Sequence, residues 1–224
     1  MAFSAQMLDF LTENVLHNDR EWYKEHREDC RRLVDRPLAD FAARVNGYIV
    51  KTDPLIDKVH ISRIFRDARI LRGRPFFREN MWVSFGREKD LYKSLPAFYF
   101  DISPNGAEYG CGYYVPPADA MNNMRMMIKA GNPQYIKAKE CLSRCPSFSL
   151  YGDMYKKSKF PDSPEEDRQW LDRKTIGVFA RSEDWELIFS EDYADFVGKE
   201  LSGLADFYTF ILGAALMSLK DSYK

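Results

Sequence analysis

An α+β fold with a mainly antiparallel sheet, an N-terminal helical segment and flanking helices is what this chain predicts, on three observations. Its first quarter reads as successive amphipathic helices. Its middle carries a strand–turn–strand signal around Pro104-Asn105-Gly106. Strands and helices then mix without the strict alternation that builds a parallel sheet. With no internal repeat, low-complexity tract or linker in the sequence, a single domain over residues 1–224 is expected.

The elements follow in order. Residues 4–16 place Met7, Leu8, Leu11 and Val15 at helical spacing, with Ser4 as N-cap. After the polar break His17-Asn18-Asp19, Asp19 caps a second helix with Trp22, Tyr23, His26, Cys30 and Leu33 along one stripe. Pro37 suits the first turn of a third, with Leu38, Phe41, Val45 and Tyr48 inward. Beyond Thr52-Asp53-Pro54, residues 60–65 read as a strand; Arg63, Phe65 and Asp67 then share one face, Ile64 and Arg66 the other. Helical spacing of Ile61, Ile64, Phe65 and Ala68 fits the same stretch. Residues 72–75 form a loop, 81–85 a short strand and 86–95 a charged connection. The sequences AFYFDIS and AEYGCGYYV predict a hairpin over 97–115, with Asn-Gly supplying positive φ. Helices over 118–130 and from Pro133 to before Pro146 come next, then an extended stretch at 147–155. A short helix follows Pro164, then a strand TIGVFARS, and one last helix spans 190–219.

Composition bounds the function. Hydrophobic residues make up 45% and aromatics 15%, enough for a sizeable core. With 33 Lys+Arg against 34 Asp+Glu, the net charge of −1 argues against a general nucleic-acid coat or a polybasic membrane anchor. The N-terminus lacks a charged start and a long apolar run, and no stretch reaches the length of a membrane span, so a soluble cytoplasmic protein is expected. Cys141 and Cys145 stand four apart, but no nearby His or second Cys pair completes a zinc set, and the four cysteines, with Cys30 and Cys111, read as buried or half-buried free thiols. No phosphate loop, H-E-x-x-H or G-x-S-x-G is present, and no cofactor or metal is predicted.

Against that neutral background, residues 60–80 carry six arginines: Arg63, Arg66, Arg69, Arg72, Arg74 and Arg78, opposed only by Asp67 and Glu79. Guanidinium groups present planar forks of donors suited to phosphate or carboxylate oxygens. A small anionic ligand is therefore the first functional expectation, held by Arg63, Arg66, Asp67, Arg69 and Arg74. Arg20, Trp22, Tyr114 and Lys174 are added as outlying candidates. Trp22 and His26 share a helix face, and His26 or Asp67 would move a proton if there is catalysis. The alternatives are a non-catalytic module in which the same arginines meet an acidic partner or a nucleic-acid backbone, and arginines used only for internal ion pairs. The oligomeric state is not legible.

Several of these residues also fall into motifs. Asn18, Arg20, Glu21, Trp22 and His26 resemble an N-N-x-R-E-W-F-x-x-H-K signature, and Arg63-Ile64-Phe65-Arg66-Asp67-Ala68-Arg69 an R-I-Y-R-D-x-R-F core. Gly112, Tyr114 and Pro116 resemble G-x-W-x-P, and two later pieces end at Arg125 and at Lys174. In this order they are similar to the bacterial and fungal family called domain of unknown function 2461. The resemblance implies a shared fold across most of the chain and no particular activity. The chain departs from the family's S-K-D-K-x-P-Y-K at residues 71–78, where Arg74 replaces a lysine and Phe77 stands in the slot of the second.

Overall fold

The structure is a computed structural model that describes residues 2–88 and 95–221. Helix α1 (Ala5–His17) begins at Ser4, whose side chain accepts from the Met7 amide, and ends at Asn18 in the left-handed region (φ 46°). Asp19 caps α2 (Arg20–Glu25), its carboxylate accepting from the amides of Glu21 and Trp22, each at 2.8 Å. The expected second helix is interrupted at His26 (φ −100°, ψ 17°). From there α3 (Arg27–Cys30), a π turn (Arg31–Asp35) and α4 (Arg36–Thr52) follow without a break. Pro37 thus does not open a separate helix. Its missing N–H and its ring would disrupt an ordinary α register, and the wider π turn just before it lets the rod continue.

Six strands form one antiparallel sheet: β1 (Lys58–Ile61), β2 (Met81–Gly86), β3 (Ala97–Ser103), β4 (Gly106–Gly112), β5 (Ser149–Tyr151) and β6 (Gly177–Ser182), ordered β1-β2-β3-β4-β6-β5. The hairpin joins β3 to β4 through Pro104-Asn105, and the positive φ falls on Gly106 (121°). The strand expected over 60–65 stops at Ile61. Beyond it only Phe65 pairs, with Phe77, in a narrow ribbon where the Arg66 amide donates to Phe76 O and the Arg78 amide to Ile64 O, both at 2.8 Å. The extended stretch at 147–155 contributes only the three residues of β5. Residues 89–94 of the charged connection lie outside the described residues.

The remaining helices are α5 (Ala118–Lys129), α6 (Pro133–Arg144), α7 (Glu165–Leu171), α8 (Trp185–Ile188), α9 (Tyr193–Gly203) and α10 (Ala205–Asp221). The last two replace the single predicted helix and meet at 55°. The bend lets one apolar stretch serve two neighbours, since α9 packs on α4 whereas α10 packs on α5 and α6. Strict alternation in β2 and β3 buries Val83, Phe85, Phe98, Phe100 and Ile102 against the helical layer, with Phe41, Leu201, Phe207 and Tyr208 across from them. A buried ion pair of Asp53 with Arg87 (2.8 Å) is completed by the Tyr208 hydroxyl, which donates to Asp53. Burial alone would raise the Asp53 pKa; the bonds from Arg87 and Tyr208 outweigh it and the value is lowered. No single helix among the described residues is long and apolar enough to cross a membrane.

Candidate functional site

The register of the sheet fixes where the predicted residues sit. Residues 62–80 connect β1 to β2 at the end of the sheet that also holds Ile102 and Ala107. Their ribbon is anchored on the N-terminal helices. Asn18, poised by its left-handed turn, accepts through Oδ1 from the amides of Phe76 (2.8 Å) and Phe77 (3.5 Å). Arg20 lies over the Phe76 ring at 4.5 Å, Tyr23 packs on Phe77, and Phe65 stacks on Phe76. The two sequence constellations, Asn18 to His26 and Arg63 to Arg69, are therefore brought together by the aromatic pair Phe76-Phe77.

Within the loop the arginines divide. Arg66 turns inward and its Nη1 donates to the carbonyls of Pro75 (2.9 Å) and Phe77, closing its own ribbon. Arg69 forks onto Asp67 in a bidentate pair (Nε 3.0 and 3.1 Å, Nη2 2.5 Å), while Asp67 also accepts from the Arg69 amide. These bonds from Arg69 hold the Asp67 carboxyl down at about 2. Arg63 is exposed, with its guanidinium 5.9 Å from the centre of the Phe65 ring. Among the described residues Arg72 and Arg74 make no ion pair, and the Arg74 charge helps lower the Arg78 pKa.

Arg78 is half-buried. Its Nε is buried with no hydrogen-bond partner among the described residues. Burial, reinforced by the neighbouring charges of Arg66 and Arg74, lowers its pKa, and only Asp101 acts in the other direction. Arg66 and Arg74 thus set positive charge against Arg78, and Asp101 sets negative charge against it.

Asp101 belongs to the face of the sheet turned away from the helical core, which is half-buried and carries Trp82, Tyr99, Glu108, Tyr151 and Phe179. It stands directly opposite Glu108 in the β3–β4 register. Asn80 donates to Asp101 through Nδ2 at 2.5 Å, and the Tyr99 hydroxyl donates to Glu108 at 3.0 Å. Burial, together with the adjacent Glu108 charge, pushes the Asp101 carboxyl up to about 6 despite Asn80 and Arg78. Sequence reasoning passed over this pair. Its signal was present: strand alternation puts Asp101 on the polar face, and a two-residue turn places Glu108 across from it.

The other candidates lie apart or serve locally. His26 ends α2, where its Nδ1 is 2.8 Å from Trp22 O and its ring stacks on Trp22 at 4.1 Å; His17 stacks on the same indole at 4.5 Å. Tyr114 is 99% exposed in the segment after β4. Lys174 precedes β6 at the opposite end of the sheet from the arginine loop, and with Lys159 and Arg125 it faces the Tyr155 ring (5.9, 4.0 and 5.6 Å). Arg125 there donates to the carbonyls of Leu171 and Arg173, joining the two late sequence motifs. A small cleft lined by Phe3, Phe41, Arg44, Ile188 and Tyr193 contains none of the predicted residues. Among the described residues no group of three or more His, Cys, Asp or Glu side chains converges so as to hold a metal ion.

The family model described as conserved hypothetical protein (domain of unknown function 2461) matches residues 6–210. No curated protein matches the chain. The match takes in the Asn18–His26 segment, the arginine loop, the hairpin and the late basic motifs. The chain belongs to the conserved hypothetical family, domain of unknown function 2461.

Proposed function

We propose that this protein binds a small ligand bearing a phosphate or carboxylate group at the arginine loop, with Arg74 and Arg78 as the direct contacts. Arg66 and the Asp67–Arg69 pair hold the loop in shape, and Arg63 and Arg20 add positive charge at its margin. The observation that carries the reading is the crowding of Arg66, Arg74 and Arg78, whose mutual repulsion weighs on a half-buried Arg78 with an unused Nε. An oxyanion supplies an acceptor for that Nε and negative charge beyond what Asp101 sets against the three arginines. Phe65 and Phe76, stacked beside the loop, offer a surface for the body of the ligand.

Thermal shift against phosphates, nucleotides and dicarboxylates tests this. Stabilisation by one class, lost in Arg74→Ala, is expected. No stabilisation by any of them, or stabilisation unchanged in Arg74→Ala and Arg78→Ala, would remove the anion reading. Stabilisation by long polyanions alone would favour contact with an acidic partner or a nucleic-acid backbone.

A further inference from the structure

We infer that Asp101 is part of this anion site, and that the anion enters together with a proton taken up between Asp101 and Glu108. The inference rests on the anion reading above and adds the regulation of that site. Its basis is geometric. Two carboxylates face one another across the β3–β4 ladder on a half-buried surface, an arrangement in which like charges oppose. One of them, Asp101, is tied to the arginine loop by Asn80, two residues beyond Arg78, and its charge acts on Arg78.

Charged and polar groups face Asp101 from three sides among the described residues. Across on β2 stands Trp82, an uncharged residue with His60 of β1 packed on it at 5.1 Å. From the loop come Asn80, which donates to Asp101, and Arg78, with Arg66 and Arg74 behind it. From β4 comes Glu108, which is bonded to Tyr99 and opposite Arg181 of β6. Arg181 is turned to Glu183 (3.7 Å) and to the Asn105 carbonyl, so it does not neutralise the acid pair.

Ionised Asp101 therefore sets a negative charge against Arg78 and repels an incoming anion. Protonated Asp101 stops competing and has an O–H to donate. The proton moves from solvent to the Asp101 carboxylate, and no covalent bond between heavy atoms changes. Because Asp101 titrates near 6, the competent form is a minority at neutral pH and the majority at pH 5. Apparent affinity scales with that fraction.

The test uses sulfate, whose charge is constant over the range, with affinity measured calorimetrically at low ionic strength from about pH 5 to about pH 7.5. Binding at least fivefold tighter at the acid end is expected, with roughly thirtyfold the ceiling for one proton titrating near 6. Asp101→Asn, which keeps the acceptor for Asn80, should bind tightly throughout and lose most of the slope. Glu108→Gln should move the midpoint of the pH dependence to lower pH. Sulfate binding with no pH dependence, or an equal slope in Asp101→Asn, would overturn the inference and leave the anion site standing. No sulfate binding even at pH 5 would overturn both.

Discussion

Arg66 and Arg74 stand on the same loop and do opposite work. Arg66 spends its donors on the carbonyls of Pro75 and Phe77, so its removal leaves acceptors of the ribbon unmet. Arg66→Ala should cost on the order of 2 kcal/mol in urea unfolding, as charge-assisted hydrogen bonds do. Arg74→Ala should change stability by less than about 0.5 kcal/mol, since no ion pair holds it among the described residues. Asp101 makes a prediction about pH. Its pKa is raised in the folded state, so the native protein holds the extra proton between the ordinary carboxylate range and about 6, and stability declines as pH rises through that window. Asp101→Asn should abolish the decline and be more stable than the parent at pH 7, on the order of 2 kcal/mol. Asp67 has the opposite sign: its lowered pKa favours folding above the ordinary carboxylate range, and that help fades as pH falls toward 2. At this scale the sequence was silent about which partners these side chains take. Nothing in R-I-F-R-D-A-R distinguishes the arginine that bonds its own backbone from one that stays free, because the difference is set by the ribbon pairing with residues 76–78.

Elements that local chemistry defines were legible. Ser4 and Asp19 cap their helices, Pro104-Asn105-Gly106 turns the hairpin, and the alternation of β2 and β3 sets their faces. Elements shaped by tertiary contact were not, as in the continuous α3–α4 rod, the early end of β1 and the bend at Leu204 between α9 and α10. The hinge between α1 and α2 tests how the arginine loop is held. Asn18→Ala removes an acceptor for two loop amides and puts a residue with a poor left-handed preference at φ 46°, so a loss on the order of 1–2 kcal/mol is expected by chemical denaturation. At the far edge, a Cβ on Gly177 would lie 2.4 Å from the Tyr151 ring that crosses it. Gly177→Ala should destabilise by about 1–3 kcal/mol. A double-mutant cycle should show that Tyr151→Ala costs less in the Gly177→Ala background; equal costs would mean that the two residues do not press on each other.

For the whole molecule, one sheet separates two chemistries. Its buried face joins the helical layer in a core, and its other face carries the Asp101–Glu108 pair, tied to the arginine loop through Asn80. The sequence motifs follow that division: the early ones meet through Phe76 and Phe77 at one end, and the late ones meet through Arg125 at the other. The α+β class was readable from the order of helices and strands, whereas the juxtaposition of loop and acid pair needed the register of three strands at once. The central claim, that Arg74 and Arg78 take an oxyanion, is tested most directly at the guanidinium groups. Arginine Nε–Hε resonances would be followed by nuclear magnetic resonance while sulfate is added near pH 5. The account predicts saturable shifts at Arg74 and Arg78, with Arg66 little changed and Arg125 unmoved. Shifts confined to Arg125, or none at any arginine of residues 60–80, would contradict it.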